Sequence, residues 1–156
     1  GLLGYSVGGW VALKLASQTR LAAVAVMAPA VPLENGGGTQ DYLRKNSRVV
    51  NMPGIAAVWN QYLSAAKEDH PEVYLRDIAP TPLLLVQGLK DRLVPPFSTS
   101  RLWSWAERQK ELLEFPNEDH EFQTDRRAVV SAVCGWLASR LAVTRERESL
   151  WRSTRS

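Results

Sequence analysis

Two rhythms of apolar and polar positions alternate along this chain. Leu2 and Leu3 read as the end of a buried strand. From Trp10 onward Val11, Leu13, Leu15 and Ala16 recur at the spacing of a mostly buried helix that closes near Gln18 to Arg20. Three continuous apolar runs come later: AAVAVMAP at 22–29, TPLLLVQG at 81–88 and ELLEFP at 111–116. Each is short, rich in branched aliphatic residues and closed by proline or glycine, which predicts strands buried on both faces. Helical spacing returns between them. Arg101 to Lys110 follows the capping candidates Ser98 and Ser100. Asp125 to Leu141 places Val129, Val133, Trp136, Leu137 and Leu141 on one face, with Thr124 as N-cap. Buried strands separated by helices predict an α/β fold with a parallel sheet.

Residues 30–80 do not fit a single connector. ENGGGTQ reads as a loop, whereas Ile55, Val58, Trp59, Tyr62, Leu63 and Ala66 recur at helical spacing. An insertion of that length predicts a helical, lid-like element. Trp59 and Tyr62 are its candidate substrate-binding residues, with plain helix packing as the alternative.

Composition narrows the function classes. With 156 residues, 45% hydrophobic and 22% charged, the chain is long enough for one domain with its own core. The net charge of +3 is mild. Part of it lies in residues 143–156, a basic C-terminal tail expected to be solvated. No stripe of Lys and Arg interleaved with aromatics supports nucleic-acid binding. LAAVAVMAPAV is too short to span a bilayer and is broken by proline, so no membrane span is expected. A single cysteine, Cys134, excludes an internal disulfide. That leaves the compartment unknown with the cytoplasm favoured, and the apolar helical setting predicts a buried thiol.

The chemistry-bearing stretch is LLGYSVGG, residues 2–9. A serine hydroxyl becomes a useful nucleophile only when a neighbouring base takes its proton. A tight strand-to-helix turn lifts the oxygen clear of a sheet, and glycines flank such a turn because a Cβ would collide with the adjoining elements. Gly4, Ser6 and Gly8 have the spacing of this nucleophile elbow, with Gly9 adding room. Gly-x-Ser-x-Gly alone arises by chance in about one chain of this length in twenty, so the strand before and helix after carry the assignment. The following amide, that of Val7, would face a developing oxyanion, and Tyr5 beside the serine is a candidate substrate contact.

Only two histidines can serve as base. His70 lies in a charged stretch before a proline, whereas His120, in FPNEDHEF, follows the last strand and so should share a rim with the elbow. Asp91, three residues beyond Gly88 at another strand end, is the candidate orienting carboxylate, with Asp119 as runner-up. The order Ser, Asp, His matches one of the known triad arrangements. No metal-ligand spacing is present, and no metal or cofactor is required.

From Gly1 to about Ala142 the sequence resembles the C-terminal half of an α/β-hydrolase. The resemblance rests on LLGYSVGG, IAPTPLLLVQGLKDRLVP and FPNEDHEF. Prolyl-oligopeptidase-like and dienelactone-hydrolase-like domains share these patterns, as do many esterases. The resemblance implies an acid loop at Gly88-x-x-Asp91-x-x-Val94-Pro95 and a base loop at His120-Glu121-Phe122. Gln87 stands where histidine is frequent, and Glu121 where glycine often follows the catalytic histidine. It also implies that several strands, a helix and the loop carrying a second oxyanion donor precede the elbow. The chain therefore reads as an N-terminally truncated part of a larger hydrolase. Its open sheet edge is available for pairing, and a small ester or other acyl compound is the expected substrate.

Overall fold

A computed structural model describes residues 1–31 and 54–153. Strand β1 (Leu2–Tyr5) leads through Ser6 into helix α1 (Val7–Gln18) and on to β2 (Val24–Met27). Helices α2 (Ile55–Glu68) and α3 (Pro71–Leu75), with a 3-10 turn at Arg76–Ile78, precede β3 (Leu83–Gly88). Helix α4 (Pro96–Trp105), strand β4 (Lys110–Phe115) and helix α5 (Arg126–Ser153) complete the chain. The loop ENGGGTQ lies outside the described residues.

The four strands form one parallel sheet in the order β1-β2-β3-β4. Tyr5 pairs with Met27, Met27 with Val86, and Gly88 with Phe115, so all four strands end at one rim. The ladder continues a step past it, with Ser6 N donating to Met27 O at 2.9 Å and Ala28 N to Val86 O at 2.8 Å.

Alternation along the strands divides the core into two layers. Val24, Val26, Leu83 and Leu85 pack with Leu13 of α1, Leu75 of α3 and Leu102 of α4. Ala25, Leu84 and Val86 face Val129 and Val133 of α5. Both α5 valines are fully buried, which stabilises the fold by about 1.5–3 kcal/mol each. Helices therefore cover both faces, as a parallel sheet requires.

Several expectations change in detail. The two edge strands are less buried than their apolar runs predict: Leu3 is 49% exposed, and β4 is mostly half-buried. Helix α4 begins at Pro96 rather than Arg101, because proline is pre-organised for a first helical turn and lacks an amide that would go unpaired there. Residues 106–109 then leave the helix, and Gln109 takes φ 69° at the turn into β4. The α5 cap is Asp125, whose Oδ1 accepts the Ala128 amide at 3.0 Å, and not Thr124. Helix α5 also runs into the segment expected to be a tail, since no glycine or proline follows Gly135 before Ser153. Cys134 is exposed, one step round the helix from buried Val133. Among the described residues no helix is long and apolar enough to cross a membrane.

Candidate active site

Ser6 occupies the turn between β1 and α1 with φ 53° and ψ −122°, a backbone conformation that L-residues rarely adopt. Its neighbours hold it there. The Ser6 carbonyl accepts the amides of Gly9 (2.9 Å), Trp10 (3.3 Å) and Ala30 (2.9 Å). A Cβ at Gly4 would stand 2.4 Å from Gly8 O and 2.7 Å from the Ala12 Cβ, so no other residue fits without moving the helix. Gly9 lies against Pro29, where a Cβ would reach 3.0 Å. Gly8 differs from the sequence expectation: a Cβ there would meet nothing within 4 Å. The close approach falls on Gly4 and Gly9. Val7 is the first residue of α1, so its amide is among the first-turn donors without an intrahelical carbonyl.

His120 and Asp91 arrive from the other strand ends of the same rim. His120 Nε2 lies 3.0 Å from Ser6 Oγ, and its Nδ1 lies 2.8 Å from Asp91 Oδ2. An ionised carboxylate only accepts, so with Asp91 charged Nδ1–H donates to it and a neutral imidazole leaves Nε2 to accept from the serine hydroxyl. Asp91 is 3% exposed and His120 8%. The remaining carboxylate oxygen, Oδ1, accepts the amides of Leu93 and Val94 at 2.8 Å each, which fixes the acid by its own turn.

The acid and base loops interlock. The Lys90 amide donates to Glu118 O at 2.8 Å, and Leu89 N to Phe115 O at 3.0 Å. A Cβ on Gly88 would fall 2.6 Å from the carbonyl oxygens of both Glu118 and Asp119, so the approach of the loops depends on that glycine. Glu118 is 2% exposed, and its carboxylate accepts the amides of Thr124 (3.0 Å) and Asp125 (2.5 Å) ahead of α5. Sequence reasoning missed Glu118, whose one signal is a carboxylate shortly before a helix start. Asp119 accepts the Glu121 amide at 3.0 Å and belongs to the loop's own turn.

Tyr5 donates from its hydroxyl to the His120 carbonyl at 3.0 Å, with the two ring centroids 5.3 Å apart. Burial raises its phenol above the ordinary range, and the carboxylates of Glu121, Asp91 and Asp119 push the same way against Arg126. Trp59 and Tyr62 stack on α2 with centroids 5.3 Å apart. The Tyr62 hydroxyl reaches Val31 O at 3.3 Å, on the segment that follows β2 and packs on the elbow. His70 lies edge-on against Trp105 at 5.0 Å, half-buried rather than exposed, and is not part of the Ser6–His120–Asp91 chain. An open groove of 840 Å³ lined by Arg20, Thr81, Lys110 and Arg140 lies at the opposite ends of the strands. Among the described residues, no group of three or more His, Cys, Asp or Glu side chains could hold a metal ion.

A parallel sheet covered on both faces, with a strained serine turn at its rim, defines an α/β-hydrolase. The model of the prolyl oligopeptidase family matches residues 1–144, and the chain belongs to that family. Among solved structures, Est1E from Butyrivibrio proteoclasticus with bound ferulic acid superposes with a TM-score of 0.69 at 19% identity, over 90% of this chain and 59% of that one. A monoacylglycerol lipase from Paleococcus ferrophilus gives 0.61 at 17% identity, over 88% and 67%. The metagenomic α/β hydrolase MGS-MChE2, from lagoon sediments at Mar Chica, Morocco, gives 0.62 at 16%, over 89% and 61%. At these identities the likeness is one of fold, and the chain spans 59–67% of the length of these three structures. A search of curated proteins finds no match.

Proposed function

We propose that this chain carries the catalytic centre of a serine hydrolase that cleaves carboxylic esters through an acyl-enzyme. The observation that carries the reading is the continuous hydrogen-bonded chain from Ser6 Oγ through both His120 nitrogens to Asp91. In this reading Nε2 takes the hydroxyl proton as Oγ bonds to the ester carbonyl carbon, and Asp91 stabilises the resulting imidazolium. The Val7 amide, at the positive end of α1, donates to the tetrahedral oxyanion. Collapse breaks the bond to the leaving alkoxide, which takes the proton from Nε2. Water then enters by the same steps in reverse and releases the acid. Tyr5, 44% exposed beside the histidine, borders the acyl site. Trp59 stacked on Tyr62, whose hydroxyl bonds Val31 O, forms the wall from which α2 selects the substrate.

The monoacylglycerol lipase among the similar structures supports ester cleavage, while the family match favours a peptide or amide bond as the second reading. The test is labelling by a fluorophosphonate, followed by turnover of p-nitrophenyl butyrate against a proline p-nitroanilide. The expected result is labelling abolished by Ser6→Ala, with the ester turned over faster. Preference for the anilide selects the second reading. Absence of Ser6-dependent labelling overturns both and leaves a non-catalytic binding module.

A further inference from the structure

Gln87 is a buried polar side chain for which the reaction steps above have no use. It is 1% exposed and follows Leu83 and Leu85 on the same face of β3, at the end of an apolar row. An amide buried there is costly unless its hydrogen bonds are made. Its Nε2 donates to Gly88 O at 2.9 Å and to Val94 O at 3.1 Å, the carbonyls on either side of the Asp91 turn. It also stands 3.4 Å from Asp91 Oδ2, the oxygen that accepts from His120. Two carbonyls and an ionised carboxylate can only accept, so the NH₂ end must face them. The amide oxygen is then left for Thr99, itself 1% exposed, whose hydroxyl donates to it at 2.5 Å from helix α4.

We propose that Gln87, oriented by Thr99, is the positioning residue of the acid loop: its amide spans the turn carrying Asp91 and holds the carboxylate in line with His120 Nδ1. The proposal rests on the serine-hydrolase reading for its effect on turnover but not for its effect on the Asp91–His120 bond. An isolated buried glutamine would satisfy itself with whatever groups lay near. This one bonds the chain before and after the acid and ties both to a helix. The Leu93 and Val94 amides restrain only Oδ1. Without the Gln87 amide the turn keeps its shape near Oδ1, but Oδ2 is free to swing away from the imidazole. Tyr5, whose phenol donates to the His120 carbonyl, has the charged groups Glu121, Asp91, Asp119 and Arg126 around it.

The test compares Gln87→Leu, Thr99→Val and Thr99→Ser in the whole chain, with turnover and the His120 Nδ1 proton signal as readouts. The chain has only two histidines, and His70, against Trp105, serves as an internal control. Gln87→Leu should lower kcat about tenfold with KM within about twofold, the effect of a displaced catalytic group rather than a lost substrate contact. Its low-field Nδ1 proton signal should move or broaden while His70 stays unchanged. Thr99→Val should do the same more weakly, and Thr99→Ser, which restores the hydroxyl, should behave as the parent. A Gln87→Leu protein with parental kcat and an unmoved Nδ1 signal overturns the proposal. Should that variant not fold, a parental Thr99→Val overturns it equally. If the parent shows no Ser6-dependent turnover, the hydrolase reading fails, and the Nδ1 signal alone still decides the role of Gln87.

Discussion

The two sides of the candidate site are built by different means. On the β1 side, Ser6 is placed by sterics and its own backbone: a positive φ, main-chain amides on its carbonyl, and glycines where α1 comes too close for a side chain. Its surroundings are apolar and open, with Val7 and Val11 each 59% exposed and Leu15 44%. On the β3–β4 side, Asp91 and His120 are placed by hydrogen bonds among buried polar groups, with Gln87, Thr99 and Glu118 all at 2% exposure or less. Steric placement needs little sequence. Polar placement demands that every partner be present, because an unmade bond in the interior costs about 1–3 kcal/mol.

The sharpest way to break this contrast is within the elbow itself. Gly4→Ala should destabilise the fold by about 3 kcal/mol, since the new methyl collides with backbone that cannot swing aside. Gly8→Ala, in the same motif, should leave stability unchanged or raise it by up to about 1 kcal/mol, because alanine favours the helix and the space is empty. Urea unfolding of the pair decides the matter; equal losses would mean that the motif's glycines are not distinguished by sterics.

The polar side is tested at Gly88. A methyl there must push the acid loop from the Glu118 and Asp119 carbonyls, and a shift of about 1 Å between reacting groups costs about a hundredfold in turnover. Gly88→Ala should therefore lose that much kcat while the Ser6 turn remains intact. Steady-state kinetics beside thermal unfolding would separate the two effects.

The same contrast explains what could be read in advance. The strands were legible as apolar runs, and the Ser6 turn as a glycine pattern, because both depend on residues close in sequence. Gly88-x-x-Asp91 and the position of His120 after the last strand were legible for the same reason. The bond from Gln87 to Thr99, and the seat of Gly88 under the Glu118 carbonyl, were not. Each depends on which loop comes to lie against which, and no periodicity encodes that. Burial along β4 was misjudged because an apolar run does not show that its strand comes last in the order β1-β2-β3-β4 and is only half covered. Cys134 failed similarly, since a shift of one residue round α5 exchanges the Val133 face for the solvent face.

The smallest predicted effect joins the two sides. Tyr5 ends β1, yet its hydroxyl donates to the carbonyl of His120, so the steric side also holds the base loop. Burial and three neighbouring carboxylates keep this phenol protonated above its usual range. The folded state thus binds its proton more tightly than the unfolded chain does. Tyr5 should contribute stability that is fully present below about pH 10, the ordinary tyrosine value, and lost as pH rises through the higher folded value. Tyr74, raised by burial and then by Asp69, acts in the same direction and is common to both proteins in the comparison. Tyr5→Phe removes one hydrogen bond, worth about 0.5–1.5 kcal/mol, and with it the Tyr5 share of the alkaline decline. The difference in thermal unfolding between parent and variant should be constant from pH 7 to about pH 9 and should shrink above about pH 10. A difference that grows with pH would show the phenolate, not the phenol, to be the stabilising form, and the tie from β1 to the base loop would have to be abandoned.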